Sequence, residues 1–137
     1  MVCMTLAGTA EDEFVLRTER WAAHAVLEVP GWIMFYPIRH SEGVWQFDAA
    51  EAAEYGPLLV EITSAIKRST DAERVYVIHQ GEVAPHFHNL LMARGPEVPG
   101  GLRATLPLLE AAEQFSDPVS ALRVARDIRT LLDHDPV

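Results

Sequence analysis

The stretch from Asp48 to Ser69 carries the most restrictive pattern in the chain. Asp48 stands three positions before Glu51, the spacing of a capping box, in which each side chain binds a backbone N–H of the first helical turn. Behind that start, Ala52, Tyr55, Leu59, Ile62 and Ile66 recur at three- and four-residue intervals. The recurrence puts them on one side of an α-helix, so the spacing predicts a helix over 49–69 with one apolar face. Gly56-Pro57 interrupts the pattern, and Pro57 is expected to kink the helix or shorten its first part.

The flanking sequence supplies a surface for that face. FVLRTE (14–19) and AHAVLEV (23–29) read as strands, and Pro30-Gly31 marks a turn. WIMFYPI (32–38) follows as a strand that should end near Tyr36, because Pro37 has no N–H for a central ladder. Beyond the helix, RVYVIHQ (74–80) and HFHNLLM (86–92) read as a second strand pair around Gly81. A helix between a hairpin and a strand pair predicts an α+β domain, with an antiparallel sheet and its main helix on one face.

The remainder is helical or turn-rich. Residues 94–101, RGPEVPGG, form a turn-rich connection, and a short helix near Pro107 carries Leu108, Leu109 and Ala112. Asp117-Pro118 is a second helix start, followed by Val119, Leu122, Ala125, Ile128 and Leu132 as an apolar stripe. That C-terminal helix must cover the sheet edge, the main helix or another subunit. With 1–13 as a loose lead-in, residues 1–137 are expected to form one domain, with a core at 14–94 and a helical extension at 102–137.

Composition narrows the partners. At 137 residues, 49% of them apolar, the chain can bury a core without a disulfide or structural metal. The formal net charge is −9 and no Lys/Arg cluster stands out, so a nucleic-acid partner is not expected, while small anions remain possible ligands. Cys3 is the only cysteine, which excludes an intramolecular disulfide and suggests a reducing compartment. The N-terminus lacks a basic region and no apolar run reaches 18 residues. No membrane span and a cytoplasmic location are therefore expected.

The histidines carry the chemistry. His86 and His88 are two apart in a predicted strand, so both side chains should share a face, with Phe87 and Asn89 on the other. Paired imidazoles are unusual in a plain core, because every ring nitrogen needs a partner. Three readings stand side by side. The rings are structural; or one is a nucleophile or base that the other orients; or both bind a metal with His40 or His79. His79 adjoins Gln80 and Gly81, whose amide can help form an anion-binding turn. Arg94, just past this strand, can reach a phosphate or an acidic residue. His24 and His134 have no independent claim, and Trp21, Trp32 and Trp45 read as packing residues.

The stretch VYVIHQGEVAPHFHNLLMAR, with PGWIMFYPIRH upstream, resembles the histidine triad superfamily of nucleotide hydrolases and transferases. The resemblance covers roughly residues 14–94. The family motif is His-φ-His-φ-His-φ-φ, where φ is apolar. Its first histidine matches His86 and its central nucleophile matches His88. The third position falls on Leu90, and Asn89 takes a normally apolar place. The separate upstream histidine matches His40, the ribose-contacting acid matches Glu28, and the phosphate loop matches His79-Gln80-Gly81 without its usual asparagine.

The resemblance implies a five-stranded antiparallel sheet, a homodimer and no required metal or cofactor. It implies attack by His88 on the α-phosphorus of a nucleotide, with His86 orienting it and a nucleotidyl-histidine intermediate. The ligand would be a mononucleotide, a dinucleoside polyphosphate or a nucleotide conjugate. Leu90 cannot donate a hydrogen bond to the leaving group, and losing one such donor costs about 3–4 kcal/mol. A nucleotide-binding module with impaired catalysis is therefore the alternative, and a histidine metal site the third.

Overall fold

The computed structural model describes residues 8–133; Cys3, His134 and the first part of the lead-in lie outside the described residues. Five strands form one sheet: β1 (Phe14–Arg17), β2 (Trp21–Ala25), β3 (Trp32–Pro37), β4 (Arg74–Ile78) and β5 (Asn89–Arg94). Their spatial order is β1-β2-β3-β5-β4, and every neighbouring pair is antiparallel. The main helix α1 (Ala49–Ser69) connects β3 to β4, while α2 (Thr105–Glu110) and α3 (Pro118–Leu132) follow the sheet.

The Asp48–Glu51 capping box is present in both directions, with bonds of 2.8 and 2.9 Å. The helix runs unbroken through Pro57, which sits on its exposed side. Its inward face differs slightly from the predicted one. Ala52 is exposed, and Leu58 and Ala65 join Tyr55, Leu59, Ile62 and Ile66 in facing the sheet.

Strand ends depart from the periodicity: β1 stops at Arg17 and β4 at Ile78, each two residues short of the predicted end, and three other ends shift for identifiable reasons. β2 occupies Trp21–Ala25 rather than 23–29, because Leu27 and Glu28 take φ values of 61° and 55° in the turn to β3. Non-glycine residues seldom adopt that left-handed backbone, so no alternation pattern announces it. β3 extends through Pro37, which pairs with Trp21 but lies beyond the last β3–β5 pair, Phe35↔Asn89. On its β5 side the missing N–H therefore costs nothing. β5 begins three residues later than predicted, at Asn89, and runs on to Arg94; residues 86–88 approach it as a loop.

The main core lies between one sheet face and two helices. Trp21, Ala23, Ile33, Phe35 and Leu91 meet Ile62, Ala65 and Ile66 of α1 and Val124, Ala125 and Ile128 of α3. Fully burying a side chain such as Ile62 contributes roughly 1.5–3 kcal/mol. The C-terminal helix thus covers α1 and β1. Its stripe is also displaced: Val119 and Leu122 are exposed, while Ala121 and Val124 point inward. The opposite sheet face is split. Trp32, Leu90 and Met92 pack under Val98 and Leu108, and Phe14, Ala22 and Tyr36 form a separate patch. Among the described residues, no helix is long and apolar enough to cross a membrane.

Candidate functional site

The end of β3 is the foundation of the histidine cluster. His86 Nε2 lies 2.8 Å from the Pro37 carbonyl oxygen. A carbonyl only accepts, so Nε2 carries the proton and donates, and Nδ1 is the acceptor nitrogen of the neutral ring. His86 is only 2% exposed. Burial is the main cause that pushes its pKa down, partly offset by the bond to Pro37 and reinforced by His40 and His88 nearby. The exposed His40 ring stands edge-on to His86 at 5.1 Å between centroids, and Tyr36 does so at 6.3 Å.

Two further imidazole bonds build on this one. His88 Nδ1 lies 2.9 Å from the His86 carbonyl oxygen, and His79 Nδ1 lies 3.0 Å from that of His88. Each Nδ1–H therefore donates, which puts the lone pair of the neutral ring on Nε2. His79 also tilts against Phe87 at 4.5 Å. Side-chain-to-backbone bonds, not strand alternation, set the relation of His86 to His88, because both precede β5. Gly81, with φ 79°, lets the preceding loop turn beneath His79; a Cβ there would lie 3.2 Å from the His79 ring. Gln80 is exposed beside it.

The loop that carries His40 is clamped at both ends. The Phe87 N–H donates to the Ser41 carbonyl at 2.6 Å, tying His40's neighbour to the histidine loop. Arg39 donates to both carboxylate oxygens of Glu51 (3.1 and 2.6 Å) and to the Gln46 carbonyl (2.7 Å). Glu51 is 2% exposed, and its carboxyl is held below the usual range, first by the Arg39 bond.

Leu90 and Asn89 face different surroundings. Leu90 sits in a cross-strand row with Met34 and Ile78, an apolar neighbourhood on both sides. Asn89 turns to the helix face, where the Tyr55 hydroxyl donates to its Oδ1 at 2.6 Å. It is committed away from the histidines.

Glu28 and Arg94 do not join them either. The antiparallel pairing sets Trp32 opposite Met92, so the end of β5 lies with the start of β3. Six extended residues separate His88 from Arg94, about 20 Å. Arg94 is buried in an ion pair with Glu73. Glu28 sits exposed in the β2–β3 turn, and its carbonyl accepts the Asp117 N–H at 2.8 Å. A resemblance carried along the sequence shows nothing of this antiparallel separation.

His24 is a residue that sequence reasoning passed over. It is buried on β2 in the same cross-strand row as Met34 and Leu90. Its Nδ1–H donates to the Ala25 carbonyl at 2.9 Å, and its Nε2 has no partner among the described residues. The ring stands edge-on to Tyr36 at 5.5 Å, the same tyrosine that flanks His86. Burial lowers its pKa. A polar ring between apolar neighbours on a predicted strand was the available signal. Among the described residues no three His, Cys, Asp or Glu side chains gather as a metal-ligand set.

Solved structures align over nearly the whole chain. A hypothetical histidine triad nucleotide-binding protein from Sulfolobus tokodaii shares 18% identity, covering 96% of this chain and 90% of its own, with a TM-score of 0.70. The fold is the histidine triad fold. A Hit-like protein of Bartonella henselae involved in cell-cycle regulation aligns at 14% identity over 95% and 92% of the two chains, TM-score 0.66. A Zn-bound histidine triad family protein from Mycobacterium smegmatis aligns at 16% identity over 96% and 91%, TM-score 0.65. No family model matches the sequence, and no curated protein matches it. The histidine triad fold is thus shared at identities where most side chains have changed.

Proposed function

We propose that this chain binds a nucleotide or nucleotide conjugate and cleaves or transfers it at the α-phosphate, with His88 as nucleophile. The observation that carries the reading is the 2.9 Å bond from His88 Nδ1–H to the His86 carbonyl. It fixes the tautomer in which Nε2 holds an electron pair, the state required of an attacking imidazole. Nε2 bonds to the α-phosphorus as the bond from phosphorus to the leaving group breaks, and the leaving group departs with a proton from the site or solvent. Water or another acceptor then breaks the P–N bond and restores the ring.

The other residues orient or bind in this reading. His79 holds the His88 carbonyl, while His86 supports His88 through its own backbone and is itself anchored on Pro37. His40, beside His86, faces solvent and is available to the phosphoryl oxygens. Gln80 and Gly81 adjoin His79, with the Gly81 Cα beside its ring. Leu90 supplies no proton to a departing group, so good leaving groups are favoured; a missing donor costs roughly a thousandfold in rate. The assembly is proposed to be a homodimer, and a strict monomer by light scattering at high protein concentration would exclude it.

Leu90 also favours a second reading, nucleotide binding without turnover. Wild type and His88→Ala are incubated with nucleoside phosphoramidates, dinucleoside polyphosphates and acyl-nucleotides, and products and protein adducts are read by mass spectrometry. Turnover and a nucleotidyl adduct in wild type, both lost in His88→Ala, support the enzyme. Binding by both proteins without turnover supports the binding module. Turnover that survives His88→Ala shows that another group is the nucleophile.

A further inference from the structure

Three tryptophans occupy two kinds of environment. Trp21 and Trp32 are 0% and 1% exposed, whereas Trp45 is 75% exposed. Leaving so large an apolar ring in water forgoes burial that most tryptophans gain. The ring is nevertheless held in place. It lies against Gly43, where an added Cβ would come within 2.2 Å of it. The segment beneath it is braced by the Glu42 N–H on Gln46 Oε1 at 2.7 Å and by Arg39 on the Gln46 carbonyl.

This segment continues directly from the histidine site. Ser41, next to His40, is bonded to Phe87 between the two motif histidines. The Glu42 carbonyl oxygen lies 3.9 Å from where a Gly81 Cβ would stand, so the loop that carries Trp45 abuts the 79–85 loop. Val44, adjoining Trp45, and Val83, on that second loop, are also exposed, at 52% and 88%. The two touching loops that carry His40 and His79 thus each also present exposed apolar side chains.

We propose that Trp45 is the stacking surface for a planar aromatic group on the ligand whose phosphate is held at His40 and His88. The inference rests on the proposed nucleotide reading and adds a determinant of specificity to it. Stacking suits this surface because it needs a presented ring face and no hydrogen-bond code. The aromatic group is either the base of the nucleotide or an aromatic leaving group. Gly43 is then the positioning residue that lets the indole lie flat on its loop.

The test measures calorimetric affinity of full-length wild type, Trp45→Ala and Trp45→Phe. The probes are adenosine 5′-monophosphate, ribose 5-phosphate, and two ribose phosphoramidates, one of tryptamine and one of butylamine. Trp45→Ala should weaken a ring-bearing probe by roughly tenfold or more, as base–aromatic contacts generally do, and leave ribose 5-phosphate unchanged. Trp45→Phe should keep most of the affinity. Loss confined to adenosine 5′-monophosphate identifies the base as the stacking partner; loss confined to the tryptamine conjugate identifies the leaving group. Because the other two indoles are buried, iodide quenching of wild type reports on Trp45, and the matching probe should protect it. Equal affinities in all three proteins, or equal losses for ring-bearing and ring-free probes, overturn the inference and leave the nucleotide reading standing. No binding of any probe by wild type overturns both.

Discussion

Tyr55→Phe removes one oxygen atom and tests how the start of β5 is held. The Tyr55 hydroxyl donates to Asn89 Oδ1 at 2.6 Å, and Asn89 is buried. Phenylalanine keeps the ring contacts that Tyr55 makes with Trp21, Phe35, Phe47 and Phe87. The expected cost is therefore the stranded amide oxygen, about 1–3 kcal/mol. For a chain of this size that is a fall in Tm of roughly 4 °C per kcal/mol. Asn89→Leu should cost less, because the partner it strands, Tyr55, is only half-buried. The double variant should recover most of the loss, since replacing both partners by apolar groups is nearly neutral. The coupling between the two sites should be about 1–2 kcal/mol. Urea denaturation of the four proteins measures it, with midpoints shifting at constant slope. Burial is the main cause that raises the Tyr55 pKa, so its proton stays on through the neutral range. A neutral Tyr55→Phe, or a double variant as weak as the sum of the singles, would refute the assignment of Asn89 to the helix face.

Two further outcomes concern pH. The Glu51 carboxyl lies below its ordinary 4.5, chiefly through Arg39, so its contribution to stability is present above that value and is lost as pH falls through the folded-state pKa. Glu51→Gln should therefore be less stable at neutral pH but lose less on acidification, as urea midpoints at pH 3 and pH 7 will show. His24 runs from the opposite starting charge. Burial lowers its pKa below 6.5, so below that pH the unfolded chain binds more protons, and stability rises with pH up to about 6.5. His24→Phe should flatten that part of the profile, leaving the share due to His86, and an unchanged slope between pH 5 and 7.5 would show that His24 is not held neutral.

Local pattern revealed the helices and all five strands, because capping and hydrophobic period are written in adjacent residues. Strand ends were less legible. The turn at Leu27 and Glu28 uses a backbone conformation that neither side chain advertises. Pro37 stays in β3 because pairing with β5 has already ended, a fact about a strand more than fifty residues away in sequence. At the site, the closeness of His40 to His86 lay within reach of motif reading. The separation of Glu28 and Arg94 from it did not, since strand order alone decides which ends of β3 and β5 coincide. The support from Arg39 and Glu51 was half visible: Glu51 announced itself as a helix cap, but nothing in its spacing named Arg39 as its partner.

The three imidazole bonds, from His79 to the His88 carbonyl, from His88 to the His86 carbonyl and from His86 to the Pro37 carbonyl, all use a ring N–H as donor. Each joint therefore leaves one defined nitrogen of the neutral ring with its lone pair: Nε2 at His79 and His88, Nδ1 at His86. The loop's joints and its lone pairs are thereby set together: the bonds that hold the backbone also choose, ring by ring, which nitrogen is left to meet a ligand.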